Sequence, residues 1–168
     1  PLSSLQCNTV CCPDSELGFW TDHGPTKEQL AAWLSEPGDS VSNVHYTGAL
    51  LARGIFGGGL AVGLPFDSGI ILSSGNIHNA KGPNDDEGGV KEAQFNLPGD
   101  DALDDLLEIL EPETNPETLD TEDAAVLVFD LTPSSTKTIQ FQYVFASEEY
   151  PEFIEILKND AIAIFVDD

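Results

Sequence analysis

Phe141-Gln142-Tyr143-Val144-Phe145-Ala146-Ser147-Glu148-Glu149-Tyr150-Pro151-Glu152-Phe153 begins with one pattern and ends with another. Together with the residues just before it, the first half alternates: Ile139, Phe141, Tyr143 and Phe145 share one face, Gln140 and Gln142 the other. That period of two predicts a half-buried strand. The alternation stops at Ser147, and Pro151 lacks the N–H that a continuing ladder needs. Glu148 and Glu149 lie between, at the mouth of the strand. A second run, Ala161-Ile162-Ala163-Ile164-Phe165-Val166, is apolar on both faces and predicts a central strand of a sheet or sandwich. Asn159-Asp160 leads into it and Asp167-Asp168 leads out. The expectation is a core strand pair with an acidic loop at one end.

Working back toward the N-terminus, Ala124 to Leu131 predicts another strand, followed by a turn at Pro133-Ser134-Ser135. Leu103, Leu106, Leu107 and Leu110 mark one face of a helix, with Asp100 or Asp101 as its cap and further aspartates favoured by the helix dipole in the first turn. Residues 111 to 123 read as an acidic, proline-broken linker. Residues 79 to 101 form a long polar stretch in which Asn84, Asp85, Asp86 and Glu87 could offer oxygens to a cation, though not at EF-hand spacing. Ser68 to Gly75 reads as a short buried strand ending in a turn. The glycine-rich segment from Gly48 to Gly63 has neither phosphate-loop spacing, so a turn or close backbone crossing is expected around Gly57-Gly58-Gly59. Val41 to Tyr46 reads as a strand. Thr26 and Gln29 sit at capping-box positions of a short amphipathic helix that Glu36-Pro37-Gly38 ends, with Trp33 expected in the core. Residues 1 to 24 read as an irregular extension. The class these elements define is mainly β, a jelly-roll-like β-sandwich with one or two short helices.

The chain has 168 residues, enough for one sizeable core. Its 30 acidic and 6 basic residues give a formal net charge of −24. Such a surface argues against binding nucleic acid or anionic membranes, which need basic patches. It suits divalent cations, which take oxygen ligands, and it equally suits mere solubility. No apolar run reaches the roughly 18 residues of a membrane-spanning helix. The sequence contains no methionine, so it is expected to be either processed or a piece of something longer. Cys7, Cys11 and Cys12 are an odd number, so at least one is expected to pair outside the chain or beyond Asp168. Disulfide chemistry is favoured over zinc, because the paired C-x-x-C spacing is missing.

Catalytic motifs are absent. No serine has the flanking glycines of a nucleophile elbow, and His23, His45 and His78 form no H-E-x-x-H pattern. Each histidine is expected to be an ordinary surface or core residue. Glu148 and Glu149 are adjacent on an extended segment and project to opposite faces, which makes them a poor glycosidase pair. No N-x-[ST] sequon occurs.

Several blocks together resemble the choice-of-anchor L family: Asp67 to Gly75, Ala80 to Asn84, Pro98-Gly99-Asp100-Asp101, Ala124 to Asp130, Phe145 to Phe153, and Asn159-Asp160-Ala161. They stand in family order over roughly residues 41 to 168, which divides the chain into an N-terminal extension with a short helix (1–40) and a sandwich domain (41–168). The resemblance implies export, display at the cell surface, a β-rich sandwich and no catalytic residues. The family domain ordinarily runs past the position of Asp168, so truncation within the fold is expected, with exposed strand edges open to completion by another chain.

Three functions follow as expectations. The first is a non-catalytic extracellular module, structural or adhesive and stabilised by calcium. Its ligands would be Glu148, Glu149 and Asp160, with Asp85, Asp86 and Asp101 contributing; the alternative is that Glu148 and Glu149 point apart and are simply solvated. The second is a self-assembling subunit of an extracellular filament or matrix. The third, a glycoside hydrolase, is disfavoured, and a carbohydrate-binding module stands ahead of it. Partners would be other surface or matrix proteins, copies of this chain among them, with carbohydrate left open.

Overall fold

The computed structural model describes residues 18–81, 94–110, 120–147 and 160–166. Five strands and two α-helices occur there: β1 (Trp20–Asp22), α1 (Lys27–Trp33), β2 (Ser40–Thr47), β3 (Arg53–Gly57), β4 (Gly69–Leu72), α2 (Asp101–Leu110) and β5 (Val126–Thr132). Short 3-10 helices at Leu50–Ala52, Gly59–Val62 and Ile77–Lys81 link or follow the strands. The strands form two antiparallel sheets, one in the order β1-β3-β4 and one pairing β2 with β5. The protein is mainly β with two short helices, the class that the sequence pattern indicates.

β3 is central in the first sheet, and its glycines let β1 and the Ile77 side chain approach it closely. A Cβ on Gly54 would collide with the backbone oxygen of Asp22 on β1 and the Ile77 side chain, and one on Gly57 with the Trp20 indole. Phe56 is buried and its ring meets Phe19 and Phe66 at centroid separations of 5.6 and 5.9 Å. Gly58 then turns the chain at φ 74°, a left-handed conformation that favours glycine. This is the close backbone crossing expected of the Gly57-Gly58-Gly59 run.

In the second sheet the register shifts between Ser42 and His45, a β-bulge. Asn43 occupies it at φ 51°, and its amide nitrogen donates to Asp130 Oδ2 across the pair at 2.6 Å. Asparagine suits such a site because its short polar side chain tolerates the left-handed region.

α1 joins the two sheets, touching β2 and β5 of one and β4 of the other. It starts where the capping box requires: Thr26 Oγ1 accepts from Gln29 N at 3.3 Å, and Gln29 Oε1 accepts from Thr26 N at 2.8 Å. Leu30 and Ala31 face inward and are fully buried. Trp33, expected in the core, is 41% exposed instead. The helix is only two turns long, and its inward face is completed by Leu30 and Ala31. A second link runs between the sheets: the Arg53 guanidinium of β3 lies 4.9 Å from the centre of the Tyr46 ring of β2, and its Nη1 donates to Pro25 O at 3.1 Å.

Two expectations are corrected here. Trp20–Asp22 is a strand, although residues 1 to 24 read as irregular. The expected strands at 139–146 and 161–166 carry no ladder among the described residues, and Ile139, Phe141, Tyr143, Val144, Phe145, Ile162, Ile164, Phe165 and Val166 are all exposed. Alternation shows that a segment can serve as a strand. A strand exists only where a neighbour offers the matching N–H and C=O groups.

Candidate functional site

The acidic residues come first, because the charge made them the main candidates. Asp123 is 8% exposed and sits at φ 53° just before β5. Its Oδ2 accepts from Phe95 N at 3.0 Å and its Oδ1 from Leu97 N at 2.7 Å. Asp104 Oδ1, in the first turn of α2, accepts from both the backbone N and the Oγ1 of Thr121 at 2.7 Å. Thr121 Oγ1 accepts in turn from Asp100 N at 2.9 Å, and Asp100 Oδ1 caps α2 by accepting from Ala102 N at 3.1 Å. Gly99 passes so close to Thr121 that any Cβ would clash. The Pro98-Gly99-Asp100-Asp101 block therefore brings α2 and the segment before β5 together through carboxylates that accept N–H and O–H donors. A carboxylate satisfied in this way needs no cation to stay buried.

A further carboxylate is covered by a cation of the chain itself. Lys137 Nζ donates to both oxygens of Asp39 at 2.7 Å and to Glu36 Oε2 at 2.8 Å, while Ser134 N donates to Asp39 Oδ1 at 2.9 Å. The Lys137 bond, with the Ser134 and Glu36 N–H donors behind it, holds the Asp39 carboxyl down at about 2. The same partners raise the Lys137 ammonium.

Of the six residues named as cation ligands, Asp101 lies in the first turn of α2 and Asp160 at the start of the 160–166 segment, both exposed. Asp85, Asp86, Glu148 and Glu149 lie outside the described residues, as do Cys7, Cys11 and Cys12. Among the described residues no three or more histidine, cysteine, aspartate or glutamate side chains are grouped to hold a metal ion.

The other candidate is apolar. Tyr143 of the 137–147 segment and Ile162, Ala163 and Ile164 of the 160–166 segment line a cavity of about 230 Å³. Tyr143 is 64% exposed and Val166 79%. No ladder joins the two runs among the described residues. The exposed side chains of the two segments make this an apolar surface.

The family model for the choice-of-anchor L domain matches residues 21–168. The match spans nearly the whole chain, and the chain belongs to that family, a class of surface-associated modules rather than a known class of enzymes. It takes in most of β1 and all of α1, which pack with the later strands. No curated protein and no solved structure matches the chain.

Proposed function

We propose that this chain is a non-catalytic extracellular module with a structural or adhesive role, and that it engages other surface or matrix proteins by strand addition at residues 137–147 and 160–166. The observation that carries this reading is the exposed row Ile139, Phe141, Tyr143 and Phe145 on backbone that belongs to neither sheet. Contiguous apolar surface of this kind marks interaction sites in folded proteins. Copies of the same chain are natural occupants, because each copy carries two such segments, and this gives the filament or matrix version of the reading. The test is sedimentation velocity of the purified chain over a hundredfold concentration range, with hydrogen exchange of the 139–146 amides measured alongside. Strand addition predicts larger species at high concentration and slowed exchange there. A single species at every concentration, with exchange unchanged, removes self-assembly and leaves adhesion to a different protein.

Calcium stabilisation through Glu148, Glu149 and Asp160, with Asp85, Asp86 and Asp101, forms a separate part of the proposal, supported by the excess of carboxylates. A cation bound only by the folded chain raises its unfolding temperature by mass action. Thermal unfolding in excess calcium and in chelator, at matched ionic strength, reads it directly. Equal temperatures would mean that the acidity serves solubility.

A further inference from the structure

The two histidines nearest β1 are not isolated residues. His23 follows the strand, and His78 belongs to the 3-10 helix Ile77–Lys81, which packs against β1. His23 Nδ1 and His78 Nε2 lie 3.0 Å apart, and His78 Nδ1 lies 2.8 Å from Thr21 Oγ1. The ring centroids are 5.1 Å apart with the planes at 80°. That separation is close to the nitrogen distance plus the two ring radii, so the nitrogens meet nearly head on, as they do when sharing one proton. A metal chelate would instead need lone pairs converging on a corner filled by three or four donors. No such donor group is formed among the described residues.

An imidazole pair is hydrogen-bonded only while one facing nitrogen donates and the other accepts. Two neutral rings satisfy this, and so do one cation and one neutral ring. Two cations do not: both nitrogens then carry hydrogens, and the rings repel. We propose that His23 and His78 form a pH-operated latch, which holds the 77–81 helix against β1 near neutral pH and releases it when both rings are protonated.

The charged groups facing the pair are Asp22 on β1 and Lys81 in the last turn of the 77–81 helix. Burial chiefly, then Lys81 and His23, lower the affinity of His78 for its proton, against the opposing pull of Asp22. A lowered folded-state value means that the latch stabilises the fold fully above the unfolded value of 6.5, and that this contribution is lost as pH falls through the folded value. The window is therefore mild acid. What opens is bounded by Ile77, which is fully buried against Gly54 and anchors the first residue of the helix. Release uncovers the Thr21 side of β1, which is buried while the latch is closed. The latch does not rest on the strand-addition reading.

Imidazole NMR of the whole chain tests it, with the His78 and Asn79 amides as exchange probes. Those two amides are bonded to Asn76 Oδ1 and Asn76 O, and so report on the helix itself. In the wild type they should exchange about tenfold faster below the His78 midpoint, after correction for intrinsic rates. His23→Gln still donates and accepts but takes no charge, so it should raise the His78 midpoint and abolish the acid response. His23→Ala should show fast exchange already at neutral pH. His23 is exposed, so neither variant threatens the fold. A His78 midpoint indifferent to residue 23, or wild-type exchange indifferent to pH, overturns the latch.

Discussion

Asp39 and Asp123 are both covered carboxylates held by different partners, and they should fail in different ways. Asp39 is bound mainly by the Lys137 ammonium, and its pKa falls from 3.8 to about 2. Its stabilising contribution is complete above about pH 4 and is lost as pH falls through 2. Unfolding midpoints measured from pH 6 down to pH 2 should therefore show wild type above Asp39→Asn at the upper end, with the two curves converging in acid. Asp123 is bound by backbone donors. Asp123→Ala strands the Phe95 and Leu97 amides and places alanine at a positive φ, so a loss of about 2–4 kcal/mol is expected in urea unfolding. A loss within the ordinary surface range, about 0.5 kcal/mol, would mean that those amides find water instead. None of this was visible in the sequence, where Asp123 reads as the end of a linker. The signal was indirect: Asp123 and the Pro98-Gly99-Asp100-Asp101 block are far apart in the chain, and only the fold reveals that one positions the other's neighbourhood.

At the scale of elements, legibility follows how local the cause is. α1 was readable because Thr26 and Gln29 satisfy each other within four residues, and Thr26→Ala should cost about 1 kcal/mol in the same urea assay. β2, β4 and β5 are legible as short apolar runs, β4 and β5 ending in turns, and α2 from the leucine spacing over an aspartate cap. β1 and β3 are not legible in the sequence: Trp20–Asp22 has no pattern of its own, and Arg53–Gly57 lies inside the glycine-rich segment that reads as a turn or close crossing; β1 is a strand because Gly54 and Gly57 of β3 leave room beside them. Gly54→Ala, which drives a Cβ into Asp22 O, should therefore destabilise the chain by about 2–4 kcal/mol. Gly18→Ala, with open space around it, should be near neutral. The runs 139–146 and 161–166 failed in the opposite direction. The alternation of 139–145 and the apolar run of 161–166 predict strands, and neither carries a ladder among the described residues, because pairing is a property of two segments and cannot be read from either. The His23–His78 contact was hidden for the same reason, since 55 residues separate its partners.

For the whole molecule, two opposing features decide how it behaves among its own copies. A net charge of −24 repels them, and under the strand-addition proposal the exposed apolar residues of 137–147 and 160–166 attract them. Repulsion acts over a Debye length, roughly 30 Å at 0.01 M salt and 3 Å at 1 M, whereas apolar attraction is not screened at all. Added sodium chloride should therefore shift the chain from small to larger species in sedimentation velocity, the reverse of what an assembly held by ion pairs would show. Tyr143→Glu and Ile164→Glu place charge on the cavity between the two segments. Both positions are exposed, so the monomer's unfolding temperature should hold within about 2 °C while the salt-induced species recede. If both variants associate as wild type does, the apolar rows are not the contact. If the wild type stays monomeric even at about 1 M salt, repulsion was never what kept copies apart. The strand-addition surface would then have to be matched by a partner of different sequence. A basic partner would be the natural complement, because the charge that separates copies of this chain would draw such a protein toward the same rows.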